Sequence, residues 1–193
     1  MDIVIIKYNA GNVVSVTNAL NRLGIEPILS DDPEVIKKAD KVIFPGVGEA
    51  STAMNYLKKH GLHTLLPELT QPFLGICLGL QLMCRHSEEN NTDCLHIFKT
   101  DVRKFPAQDK VPHMGWNKII CKPSPLLKGI AEDGYIYFVH SYYAEIGAET
   151  LASSNYIVPF SAVLQKDNFY AVQGHPEKSG NTGNTLLQNF INL

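Results

Sequence analysis

Two short stretches, residues 2–7 and 41–45, are rich in Ile and Val and place apolar side chains at successive positions rather than alternate ones. A strand of that kind is buried on both faces, which requires helices above and below a parallel sheet. The intervening sequence agrees. Val16, Ala19, Leu20 and Leu23 fall at helical spacing, and Gly24 stands where a helix C-cap glycine belongs. Residues 25–29 read as a second strand. Ala53, Met54 and Leu57 repeat the helical spacing, with Gly61 following, and residues 72–77 read as a fourth strand entering a helix that holds Leu80, Leu82 and Met83. This strand–helix alternation predicts a flavodoxin-like α/β fold, its central sheet mostly parallel and flanked by helices.

The second half changes character. Strand-like pieces at 97–104, 116–121, 135–139, 143–147, 157–165 and 169–173 are joined by turns, not helices. They are expected to form an antiparallel addition to the sheet or a small second sheet. A last helix is expected after Gly183, with Leu186, Leu187, Phe190 and Ile191 on one face. No repeat or linker divides the chain, and 193 residues suit one core, so residues 1–193 are expected to form a single domain.

Composition narrows the function class. A formal net charge of −2 offers no basic surface for nucleic acid. The opening Met1-Asp2-Ile3 lacks the basic start of a secretory signal, and no apolar run is long enough to span a bilayer. Cys77, Cys84, Cys94 and Cys121 form no CxxC pair and no zinc-like spacing, so reduced thiols in the cytoplasm are expected, with no metal and no cofactor.

The sharpest local signal is Gly75-Ile76-Cys77-Leu78-Gly79, a nucleophile between glycines where a strand turns into a helix. Such an elbow is tight, needs small neighbours, and exposes its nucleophile at the carboxyl end of the sheet. A helix N-terminus there favours a thiolate and offers the Leu78 N–H to an oxyanion. The plain alternative is a buried cysteine at a turn. A thiol nucleophile needs a base, and the base needs an orienting group. Of the seven histidines, His175 alone has a carboxylate two residues away in a stiffened frame, His175-Pro176-Glu177. In an extended segment positions i and i+2 point the same way, so Glu177 can reach one imidazole nitrogen while the other faces the sulfur. By itself that tripeptide reads as a proline turn; beside the cysteine elbow it reads as a triad. His113 and His140 remain open, and the other histidines read as surface or polar-core residues.

Pro45-Gly46-Val47-Gly48 follows a strand and can supply a second oxyanion N–H, or can be a simple turn. It lacks the spacing of a phosphate loop. Pro112-His113-Met114-Gly115-Trp116-Asn117 holds the single tryptophan, which suits either a partner interface or the core.

Taken together, Gly75–Gln81 in sequence with His175-Pro176-Glu177 resembles the class I (triad) glutamine amidotransferases. Pro45–Gly48, Pro112–Asn117, His140-Ser141-Tyr142 and His175-Pro176-Glu177-Lys178-Ser179 resemble, within them, the glutaminase subunits of imidazole glycerol phosphate synthase. The resemblance runs from Tyr8-Asn9-Ala10-Gly11-Asn12 to the final helix. It implies that Cys77 forms a thioester with glutamine, His175 moves protons and Glu177 orients it. Gly46, Val47, Gly48 and Leu78 would hold the oxyanion, and Gln81, Ser141 and Tyr142 the substrate. Ammonia would pass to a (β/α)8-barrel cyclase subunit, with Asn12, Met114, Trp116 and Lys178 facing that partner. One departure is Gly174, where the family usually carries an aromatic residue; a looser His175 or a wider pocket is expected from it. The competing readings are a glutaminase serving pyridoxal phosphate, anthranilate or carbamoyl phosphate synthesis, disfavoured by residues 112–117 and Lys178-Ser179, and a non-catalytic flavodoxin-like module, disfavoured by the complete triad.

Overall fold

The structure is a computed structural model that describes residues 1–8, 12–131 and 134–193. Asn9, Ala10 and Gly11 of the N-terminal motif lie outside the described residues. The first half lays down β1 (Ile3–Ile6), α1 (Val13–Arg22), β2 (Ile28–Ser30), α2 (Pro33–Lys38), β3 (Lys41–Gly46), α3 (Ala50–Lys59), α4 (Leu62–Leu65), β4 (Phe73–Cys77) and α5 (Leu78–Met83). Strand β1 shows why successive apolar residues were needed. Ile3 and Ile5 pack with Val16 and Leu20 of α1, while Val4 and Ile6 pack with Met54 and Leu57 of α3.

The second half adds β5 (His86–Ser87), β6 (Thr92–Asp93), β7 (Asp101–Lys104), β8 (His113–Lys118), β9 (Ile120–Cys121), β10 (Tyr135–His140), β11 (Tyr142–Ala144), β12 (Thr150–Tyr156), β13 (Val158–Lys166), β14 (Phe169–Val172) and α6 (Gly180–Ile191). The main sheet has eight strands in the order β2-β1-β3-β4-β14-β13-β12-β9. Strands β2, β1, β3, β4 and β14 run parallel, and β13, β12 and β9 are antiparallel additions. Strands β8 and β10 form a separate antiparallel ribbon, and β5, β6, β7 and β11 a small four-stranded sheet.

Two expectations are corrected here. By sequence, residues 169–173 belong with the antiparallel group, yet β14 lies parallel beside β4 and antiparallel only to β13. Its carboxyl end therefore points the same way as that of β4, which brings the segment after each strand to one end of the sheet. The last helix also begins before Gly183, at Gly180, because Gly183 packs against the carbonyl of Pro176 inside the helix rather than preceding it.

Candidate active site

Cys77 closes β4 and caps α5, with backbone angles of φ 55° and ψ −106°. That region is costly for a residue with a Cβ, and it persists only where surrounding packing enforces it. Here all six residues of α5 are buried beneath the elbow. Strand β3 lies beside it, Gly46 in register with Cys77, so Val47 and Gly48 emerge next to the sulfur. Val47, Gly48, Cys77, Leu78, Gln81, Ser141 and Tyr142 all line one cleft of about 320 Å³.

His175 arrives from β14 behind this cleft, and both it and Glu177 are buried. The His175 Nδ1–H donates to Glu177 Oε1 at 2.8 Å. Nε2 has no oxygen or nitrogen partner among the described residues and faces Cys77. Burial is the strongest single influence on this imidazole and disfavours its charge. The hydrogen bonds and negative charges of Cys77 and Glu177 together outweigh it, pushing His175 up to about 10. The backbone around it is fixed as well: His175 N–H donates to the Tyr137 carbonyl at 2.8 Å, Ser179 Oγ–H to the His175 carbonyl at 2.6 Å, and Tyr137 N–H to Ser179 Oγ at 3.0 Å.

The space beside Gly174 is already filled. A Cβ built there would stand 2.2 Å from Ile136 Cγ2 and 3.1 Å from the Tyr137 carbonyl oxygen. The Ile136 side chain of β10 occupies the space that a side chain at position 174 would need.

The four residues matched to a partner face divide. Met114 and Trp116 are 63% and 55% exposed on the outer side of β8, and Lys178 is exposed next to Glu177. The Trp116 ring packs edge-on against Tyr137, at 6.0 Å between centroids, which places it one residue from the His175 backbone. Asn12, by contrast, turns its amide inward and donates to Glu177 Oε1.

Three residues here were not anticipated. Gln173 is fully buried, and its amide donates to Cys77 Sγ at 3.7 Å while its Oε1 accepts from Gln81 at 3.1 Å. The alternation that paired His175 with Glu177 extends backwards to position 173, so the signal was present. Glu89 reaches the cleft from a 3₁₀ turn, and its Oε2 accepts the Ala50 N–H at 2.7 Å. Burial raises this carboxyl above its ordinary range, against the opposing Ala50 hydrogen bond. No local pattern marks it. The Tyr8 hydroxyl is buried beside Gly46 without a hydrogen-bond partner among the described residues, and burial followed by the Cys77 charge pushes its phenol well above the usual range.

The cysteines are free, no group of His, Cys, Asp and Glu among the described residues is arranged to hold a metal, and no helix among them is long and apolar enough to cross a membrane.

Residues 4–193 match the family model described as "Glutamine amidotransferase class-I". The chain is 58% identical to the imidazole glycerol phosphate synthase subunit HisH of Bacteroides fragilis (strain YCH46), over 100% of both chains. It is 46% identical to the Escherichia coli (strain K12) subunit HisH, again over 100% of both. Among solved structures, a glutamine amidotransferase superposes with a TM-score of 0.77 at 18% identity, covering 98% of this chain and 97% of that one. PurLQS from Thermotoga maritima gives 0.74 at 16% identity, covering 99% and 97%. At those identities the structures speak for the fold alone, whereas the sequence matches run the whole length. The chain therefore belongs to the class-I glutamine amidotransferase family, within the group of imidazole glycerol phosphate synthase HisH subunits.

Proposed function

We propose that residues 1–193 act as one glutaminase unit, releasing ammonia from glutamine through a Cys77 thioester and delivering it to a (β/α)8-barrel cyclase subunit that makes imidazole glycerol phosphate and an aminoimidazole carboxamide ribotide. The observation that carries this reading is the meeting of Cys77 and the His175–Glu177 pair at one end of the sheet, beside a cleft of amino-acid size.

In this reading the Cys77 sulfur attacks the side-chain carbonyl carbon of glutamine. The oxyanion is held by the Leu78 N–H and by the Gly46-Val47-Gly48 segment. His175 gives its proton to the departing nitrogen, ammonia leaves, and the thioester remains. Forming the thioester removes the sulfur's negative charge, and with it two of the influences that raise His175. The imidazole is then a weaker acid holder and a competent base, able to take a proton from the attacking water. Gln81, Ser141 and Tyr142 position the substrate, and the Glu89 carboxylate is suited to its α-ammonium group. Met114, Trp116 and Lys178 form the docking side, while Asn12 links that side to Glu177.

The test is steady-state glutamine hydrolysis by the subunit alone, with the barrel subunit, and with that complex plus its nucleotide ligand. Low activity alone and strong activation in the liganded complex are expected, since one oxyanion donor is worth about 10²–10³ in rate and a rotated Gly46–Val47 peptide would withhold it. In the same complex, Glu89→Gln is expected to raise KM for glutamine more than it lowers kcat. Full activity of the lone subunit would instead favour a stand-alone amidase.

The pH dependence follows from His175. Its folded value lies above the ordinary one, so its contribution to stability is complete below about pH 6.5 and is lost as pH rises through about 10. The proton it loses there is the one given to ammonia. On the alkaline side kcat/KM is expected to hold until near pH 10, and Glu177→Gln, lacking one of the raising influences, to bring that decline to lower pH. An unmoved alkaline limb in Glu177→Gln would separate the carboxylate from the imidazole.

A further inference from the structure

His113 and His140 face each other across the β8–β10 ribbon and are both buried, yet neither touches the His175–Glu177 pair by hydrogen bond. Their four ring nitrogens nevertheless form a directed chain. His140 Nδ1 meets the Tyr142 carbonyl oxygen at 2.8 Å. A carbonyl only accepts, so this nitrogen carries the hydrogen, and in a neutral ring Nε2 must then be the acceptor. His113 Nδ1 meets that Nε2 at 3.0 Å and must therefore donate. His113 Nε2 is left as an acceptor, and the Asn117 amide supplies the donor at 3.3 Å. Burial keeps both rings neutral, lowering His113 to about 4 and His140 to about 3. The ring planes are fixed too, since His113 is stacked on Tyr156 and Phe138 at centroid distances of 4.1 and 5.1 Å.

The chain continues beyond the histidines. The Tyr142 carbonyl also accepts from Gln81 Nε2 at 3.0 Å, Gln81 donates to Gln173 Oε1 at 3.1 Å, and Gln173 donates to the Cys77 sulfur at 3.7 Å. Each amide has one orientation in this arrangement, because reversing any of them would oppose two donors or two acceptors. We propose that His113 and His140 are positioning residues for glutamine hydrolysis: paired Nδ1–H imidazoles that fix the Tyr142 carbonyl and, through it, the Gln81 and Gln173 amides against Cys77. This inference rests on the glutaminase reading above. It gives the two buried histidines a task that a phenyl ring of similar shape would not perform.

Two measurements test it. Long-range ¹H–¹⁵N spectra of the full chain should show both rings as neutral Nδ1–H tautomers that do not titrate between about pH 5 and 8. In the complex with the cyclase subunit, His113→Phe and His140→Phe should each lower kcat/KM for glutamine about tenfold, the effect of one misplaced hydrogen bond. His113→Asn, which keeps a donor where Nδ1 stood, should recover most of that loss. An Nε2–H tautomer at His140, an unchanged kcat/KM in His113→Phe, or an Asn variant no better than Phe would each overturn the proposal. The spectra decide the geometry without any turnover, whereas an inactive wild-type complex would defeat the glutaminase reading itself and the inference with it.

Discussion

Cys77→Ala is expected to lower glutamine hydrolysis by about 10⁴-fold or more while leaving the chain folded and able to bind its partner. The substitution removes one sulfur atom from a site whose remaining groups are held independently: Glu177 accepts the His175 Nδ1–H, and the Tyr137 backbone and the Ser179 hydroxyl hold the His175 backbone. The backbone strain at position 77 stays, because alanine keeps the Cβ that makes φ 55° unfavourable. Cys77→Gly should therefore be equally inactive but more stable than Cys77→Ala by about 1–3 kcal/mol, a comparison that reads the strain directly by denaturant unfolding. An electrophilic glutamine analogue should label Cys77 alone. Cys84 and Cys94 are buried, and burial raises the thiol of Cys84 and pushes that of Cys94 up to about 12; burial likewise raises Cys121. Labelling at any of those three, or retained turnover in Cys77→Ala, would remove Cys77 from the role of nucleophile.

How far such a site is legible in sequence depends on the length over which each signal acts. The Cys77 elbow and the His175–Glu177 spacing are local: a strand period and a proline fix which side chains share a direction. The doubly buried strands β1 and β3 are equally plain, since their composition reports burial on both faces. Helix α2 was missed although Asp32 caps it, accepting the Glu34 N–H at 2.8 Å with Pro33 in the first turn, because Ile36 alone supplies its buried face. Strand β12 was missed for a different reason. Its buried residues are Thr150, Ala152 and Ser154, small side chains of which Thr150 shares a hydroxyl hydrogen bond with Ser161 at 2.8 Å, so no hydrophobic alternation betrays it. Glu89 lies beyond any local pattern: it enters the cleft only because a 3₁₀ turn 39 residues on folds back to the start of α3. The parallel placement of β14 is the most consequential case. Its sequence reads equally well in either direction, and only the choice of neighbour, β4, sets its carboxyl end beside Cys77.

The largest expected effect on folding is at Gly79. A glycine two residues to either side of Cys77 is expected from the tightness of the elbow, but the two positions are not equivalent in the structure. A Cβ at Gly79 would stand 1.9 Å from the Phe44 carbonyl oxygen and 3.0 Å from its carbon, both backbone atoms of β3. Neither can yield by rotating a side chain, so α5 would have to move away from β3. That movement would open the interior beneath the elbow and separate Gly46 from its register with Cys77. At Gly75 the nearest atom is Met83 Sδ, at 2.4 Å, the far end of a flexible side chain, with Gly79 backbone atoms next at 3.0 and 3.1 Å. Methionine can repack, and overpacking of that kind costs about 1–3 kcal/mol. Gly79→Ala should cost more than about 5 kcal/mol, the whole stability of a domain at the lower end of the ordinary range. The expected result is that Gly75→Ala yields soluble protein with a lowered Tm and reduced activity, whereas Gly79→Ala fails to give a cooperative unfolding transition at all. Equal stability of the two variants would mean that α5 and β3 can part without loss, and that the elbow is not enforced by the packing beneath it.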